Sequence, residues 1–178
     1  MSTSVLRFAP PARTRPARPA PVTPNPHGRH EVAATLPGRQ ELLDHLARLQ
    51  PTSHEAAGTL LLIGLVHTEA TVYPAATVLD TATSLISYAL REGDLLGRAG
   101  PAEFAAVVQG SDADADAAAA RVLAAVGAAR IPGLTVAAGT AALQPDRRPA
   151  EILRRATLSL TVARSIGGGQ VIRYRGSR

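Results

Sequence analysis

The longest apolar run in the chain, Leu60-Leu61-Leu62-Ile63-Gly64-Leu65-Val66, has the length of one strand. It falls well short of the roughly 18 consecutive apolar residues that a membrane-crossing helix needs. Thr59 to Val66 therefore reads as a buried strand, and the rest of the fold must supply what covers it. Leu42, Leu43, Leu46 and Leu49 recur at helical spacing, which predicts a helix over Pro37 to Gln50 with Pro near its start. Leu79, Ala82, Ile86 and Leu90 share one face of a helix from Ala75 to Leu90, and Gly93 stands ready to stop it. Asp94 to Arg98 and Glu103 to Gln109 read as two strands joined by the hairpin Ala99-Gly100-Pro101-Ala102. An Ala-rich helix over Asp112 to Ala129 opens with acids that suit its N-terminal dipole. A strand from Leu134 to Leu143, a helix from Pro149 to Arg164, the stop Gly167-Gly168-Gly169 and a last strand from Gln170 to Tyr174 complete the order. Helices and strands mixed in this way imply an α+β domain, a central mixed sheet flanked by helices.

Charge divides the chain. All 19 basic residues are Arg, and five of them (Arg7, Arg13, Arg15, Arg18, Arg29) precede Glu31, the first acid. That leaves 14 Arg against 14 acids from residue 31 onward, so the net charge of +5 belongs to the leading segment and the rest is formally neutral. Residues 1–30 also hold seven of the 14 prolines. Pro in such density prevents regular ladders, so this segment reads as a disordered tail, either a plain leader or an arm that docks a partner. Residues 31–178 read as the folded domain. Aromatic content of 3% leaves no platform on which nucleic-acid bases stack, so nucleic acid is set aside as a partner of the core, and weak electrostatic contact is left open only to the Arg-rich tail. The chain has no Cys, which excludes disulfides and thiolate metal sites. The N-terminus lacks the apolar stretch of a secretory signal, and the expected location is the cytoplasm.

Several stretches, in order, resemble one family. Thr35-Leu36-Pro37-Gly38-Arg39 resembles the opening G-L-P-N-R of GGDEF domains, and Leu60 to Ile63 resembles the strand leading to their first metal-binding Asp. Arg91 through Phe104 resembles the stretch ending in the signature hairpin, and Leu134 to Leu143 the strand written V-T-V-S-I-G-V-A. Leu153-Arg154-Arg155-Ala156 through Gly167-Gly168 resembles L-L-R-R-A-D-x-A-L-Y-x-A-K-x-x-G. The resemblance runs from about residue 31 to 175 and implies a nucleotidyl-cyclase-like (ferredoxin-like) fold in a degenerate diguanylate-cyclase-type domain.

Diguanylate synthesis in that family uses two carboxylates to seat metal ions that neutralise triphosphate charge, and such transfer rests mainly on positioning and electrostatics. The matching positions here are Gly64 and Ala102, neither of which has a side-chain oxygen, and Pro101 replaces a signature Gly. The family's D-x-D-x-F-K-x-x-N-D is matched by Gly64-Leu65-Val66-His67-Thr68-Glu69-Ala70-Thr71-Val72-Tyr73, without its Lys, Asn or final Asp. The connection to the next helix is about five residues shorter than the family pattern. Arg164 falls near the family's phosphate-contacting Lys, and Glu103 reads as a solvated hairpin carboxylate. The resemblance thus implies no enzyme activity, no metal and no cofactor.

What remains is Arg91-x-x-Asp94, five residues before the pattern's Gly100, at the motif and spacing of the family's inhibitory site (I-site) for cyclic di-GMP. Arg121, on the helix after the hairpin, falls near a further Arg that family members add. Arg can engage guanine O6 and N7 together, and a carboxylate accepts from guanine N–H groups. The same residues also fit a local role, with Arg at a helix C-terminus, a Gly cap and an Asp in the turn. Two functions follow: a cyclic di-GMP receptor using Arg91, Asp94 and Arg121 that relays to a protein partner, with a ligand-bridged homodimer as one form of it, or a ligand-independent interaction module. His67 reads as a strand-end residue, Gly167-Gly168-Gly169 as a helix stop, and Asp112, Asp114 and Asp116 as capping and solvation.

Overall fold

The computed structural model describes residues 36–49, 58–67 and 76–176. The leading segment assigned as a tail, and residues 68–75 of the shortened connection, lie outside the described residues. Within them the order is α1 (Arg39–Arg48), β1 (Gly58–His67), α2 (Ala76–Ala89), β2 (Leu95–Gly100), β3 (Glu103–Gln109), α3 (Asp112–Ala128), β4 (Leu134–Ala142), α4 (Pro149–Ser165) and β5 (Val171–Arg173).

The five strands form one sheet in the order β2-β3-β1-β4-β5. β1 lies in the middle, antiparallel to both β3 and β4; β2 is antiparallel to β3, and β4 is parallel to β5. This is the mixed sheet expected from the element order. Leu61, Ile63 and Leu65 point from β1 into a core shared with Ile86 of α2 and Ala118, Val122 and Val126 of α3. Leu60 and Leu62 point the other way, against Leu42 and Leu46 of α1 and Ile152, Leu153 and Leu160 of α4. Helices therefore cover both faces, which is why β1 is apolar at successive rather than alternate positions.

Glycine shapes this packing at two places in the chain. Gly139 of β4 faces α4 so closely that a Cβ there would sit 2.2 Å from the Leu160 backbone nitrogen and 2.5 Å from the Ala156 carbonyl oxygen. After α4, Gly167, Gly168 and Gly169 take φ values of 109°, 75° and 67°, a left-handed run that turns the chain back into β5. β2 runs two residues beyond the expected Arg98, because a register shift between Arg98 and Gly100 absorbs Ala99 and confines the turn to Pro101-Ala102.

Candidate functional site

At one end of the sheet, Gly64 pairs with Glu103 across β1 and β3, and the Leu65 N–H donates to the Ala102 carbonyl at 2.9 Å. The fold thus brings Gly64 and Ala102 together, as the resemblance implies. A third residue completes the arrangement. Arg164, in the last turn of α4, donates from Nη1 to Glu103 Oε1 at 2.6 Å. Its guanidinium lies against the Gly64 backbone, since a Cβ on Gly64 would be 2.3 Å from Arg164 Nη2. Glu103 is therefore not a solvated hairpin carboxylate: it is about one-quarter exposed and ion-paired with Arg164, because β3 carries it beside the end of α4.

Removing either partner strands a half-buried charge. Arg164→Ala is expected to cost about 1–2 kcal/mol in urea denaturation. The double variant Arg164→Ala/Glu103→Gln should cost less than the two single changes together. Strict additivity would show that the pair is not coupled.

The second locus is the C-terminal end of α2. The Asp94 carboxylate accepts from the Arg91 backbone N–H at 2.9 Å, and the Asp94 N–H donates to the Arg91 carbonyl at 3.0 Å, closing a tight turn. The exposed Arg91 side chain reaches across to α3, where Nη1 donates to Asp114 Oδ1 at 2.9 Å. The other Asp114 oxygen accepts from the Ser111 N–H at 3.0 Å and the Ser111 hydroxyl at 2.7 Å, and the Asp114 N–H donates back to that hydroxyl. This capping box starts α3. Arg121 donates from Nε to the Ala89 carbonyl, at the end of α2, at 2.8 Å; its Nη2 is buried without a partner among the described residues. Arg91, Asp94 and Arg121 are thus gathered around one helix end.

Asp112 and Asp116 do more than cap and solvate. Arg173 of β5 donates to the Asp112 carboxylate, to the Asp112 carbonyl at 3.1 Å and to Asp116 Oδ2 at 2.5 Å, tying α3 to the sheet edge. Of the three acids, Asp114 alone caps, because only the third helical position reaches back to Ser111.

The Ser111 hydroxyl, then its N–H, then Arg91 lower the Asp114 pKa from 3.8 to about 2. Arg154 and then Arg155 lower that of Glu151, in the first turn of α4, from 4.5 to about 2. A carboxyl with a depressed folded pKa adds stability above its unfolded value and loses it as pH falls through the folded value. Thermal melts are therefore expected to hold steady down to about pH 4.5 and to decline from there toward about pH 2. Asp114→Asn and Glu151→Gln should each flatten that decline; an unchanged acid limb in both variants would contradict these assignments.

No protein-family model matches the sequence, and no curated protein matches it. Solved structures do. Diguanylate cyclase SiaD of Pseudomonas aeruginosa, in complex with its activator SiaC, superposes with a TM-score of 0.66 at 24% identity, over 78% of this chain and 58% of SiaD. The GGDEF domain of DgcB from Caulobacter crescentus, in complex with c-di-GMP, gives 0.66 at 18% identity, over 79% of this chain and 92% of that one. The active GGEEF domain of a Vibrio cholerae diguanylate cyclase gives 0.61 at 20% identity, over 80% and 99%. The chain has the GGDEF-domain fold. It spans less than two thirds of the SiaD chain.

The sequence resemblance implies a divalent cation beside residues 64 and 102, and the described side chains there do not suit one. Gly64 and Ala102 offer no side-chain oxygen, and the nearby carboxylate of Glu103 already holds a guanidinium. Among the described residues, no three His, Cys, Asp or Glu side chains cluster to hold a metal. Sequence reasoning missed the Arg164–Glu103 pair and the Asp114–Arg91 pair. The signals were an Arg at the end of one helix and a carboxylate at the start of another, both of which local capping explains. No helix of the described residues is long and apolar enough to cross a membrane.

Proposed function

We propose that this chain is a catalytically silent GGDEF-fold protein that binds cyclic di-GMP through Arg91, Asp94 and Arg121 and passes its occupancy to a protein partner. The observation that supports the reading is that these three residues lie about the end of α2. Arg91 is exposed, and an Arg–guanine bidentate pair is worth roughly 1–3 kcal/mol. The complex of DgcB with c-di-GMP supplies the ligand by analogy of fold. Silence follows from the surroundings of Gly64: where the resemblance calls for anionic oxygens, a cation lies against bare backbone. Arg164 there neutralises Glu103 and fills the space that a carboxylate at residue 64 would occupy.

Calorimetric titration of the full chain with cyclic di-GMP tests the binding half, with affinity expected in the micromolar range, about −8 kcal/mol. Absence of heat at tens of micromolar ligand rejects it. Incubation with GTP and magnesium tests the other half, with no diguanylate expected; any metal-dependent synthesis overturns it.

A second reading, a ligand-independent interaction module, is favoured by a different feature. Leu158 and Val162 of α4 and Ile166, which caps it, recur every fourth residue and are 45%, 49% and 56% exposed, an apolar stripe on the outer face. A partner captured equally with and without cyclic di-GMP, and lost on Val162→Glu, would decide for it.

A further inference from the structure

A third locus lies away from both described above. The end of β4, the start of α4 and the residues after β5 enclose a cleft of about 420 Å³, within the size range of small-molecule sites. β4 is antiparallel to β1, so Ala141 and Ala142 in this cleft pair near the start of β1, whereas Gly64 pairs with Ala137 at the opposite end. The cleft also sits at the β5 edge, with the Arg91 turn at the β2 edge. Three arginines, Arg147, Arg155 and Arg175, line it together with Gln144 and Tyr174, and among the described residues no carboxylate does.

The arginines are unevenly compensated. Arg147 pairs with its neighbour Asp146 at 3.2 Å. Glu151 is shared between Arg154, at 2.7 Å, and Arg155, at 2.9 Å. Arg175 has no carboxylate partner among the described residues. This excess stands against formal neutrality from residue 31 onward, where 14 Arg face 14 acids.

α4 carries the acid Glu151 in its first turn and Arg164 in its last, as its dipole favours, but its start is crowded with arginines. Arg147 and Arg148 precede the helix, Arg154 and Arg155 follow within two turns, and the cap residue Arg148 offers no side-chain acceptor to the first N–H groups. Cations at a helix N-terminus are unfavourable, and an anion placed among them reverses that sign. Arg155, meanwhile, is already held for binding. Its Nη1 donates to Gln144 Oε1 at 2.8 Å, its carbon lies 5.1 Å from the Tyr174 ring centre, and its side chain is 15% exposed. A guanidinium fixed in advance matches phosphate oxygens with little ordering left to do.

We propose that this cleft binds the polyphosphate group of a small molecule, held by Arg147, Arg155 and Arg175 at the start of α4. The site is independent of the Arg91 reading. The test is calorimetry of the full chain at low salt with sodium pyrophosphate and, separately, with metal-free ATP. Both are expected to bind, with affinity falling at least tenfold in Arg155→Gln and in Arg175→Gln and unchanged in Arg130→Gln, an exposed control. ATP binding more tightly than pyrophosphate assigns a nucleotide, and equal binding assigns the phosphates alone; either supports the site. Arg155 is partly buried, so Arg175→Gln, at an exposed position, carries the test if Arg155→Gln does not fold. No binding at millimolar probe, or binding that ignores both substitutions, overturns the proposal.

Discussion

Gly139→Ala is expected to lower the melting temperature by about 10 °C, the consequence of roughly 3 kcal/mol of lost stability. The added methyl would meet the Leu160 nitrogen at 2.2 Å and the Ala156 carbonyl oxygen at 2.5 Å. Both are backbone atoms in the middle of α4, so no side chain can rotate out of the way. The helix must lift from β4, loosening Leu153, Ala156, Leu160 and Ala163 from their packing on Leu60, Leu62, Ala137 and Ala141. Gly127 is the fitting contrast. It lies within α3, and a methyl added there would meet nothing within 4 Å, so Gly127→Ala should raise stability by about 0.5–1 kcal/mol through helix propensity. Thermal melts of the two variants should move in opposite directions. A Gly139→Ala shift of less than about 2 °C would mean that α4 accommodates the methyl without loss.

Arg91→Ala is expected to weaken cyclic di-GMP binding about 30-fold, within the 1–3 kcal/mol of one bidentate guanine contact. Asp114→Asn is expected to act in the opposite direction. In the free protein the Asp114 carboxylate holds Arg91 at 2.9 Å, so a guanine must displace an anion before it engages the fork. Asn keeps an oxygen for the Ser111 N–H and hydroxyl, and α3 keeps its start, while the charge that competes for Arg91 is gone. Affinity should therefore rise several-fold in Asp114→Asn with little change in far-ultraviolet circular dichroism. Lower affinity in that variant would assign Asp114 to orienting Arg91 rather than restraining it. Equal affinity in Arg91→Ala and the unmodified chain would remove Arg91 from the site.

The element order was legible because its signals are local. The period of Leu42, Leu43 and Leu46 lies within one helix, the run from Leu60 to Val66 within one strand, and the observed bounds of most elements fall within a residue or two of those expected. β2 departs because a bulge depends on the partner strand, and nothing within Asp94 to Gly100 announces it. At the candidate site, sequence order sufficed to place Arg91 beside Asp94, three positions apart. It also placed Gly64 and Ala102 by resemblance. It did not reveal that Arg91 is already engaged, because the Asp114 that engages it is 23 residues away.

By itself, the sequence determined the kind of domain: alternating apolar periods, glycine stops and a proline-rich lead leave few ways to bury Leu60 to Val66, and side chains without oxygen at residues 64 and 102 have no ligand atoms to offer a metal. Only the tertiary structure decided how the charges are spent. Arg164 meets Glu103 across 61 residues, Arg173 meets Asp112 and Asp116 across 61 and 57, and three arginines converge beside Tyr174. Periodicity reports which face a residue occupies, whereas an ion pair requires two faces to meet. That meeting is fixed by strand order and helix packing, and no local pattern encodes it.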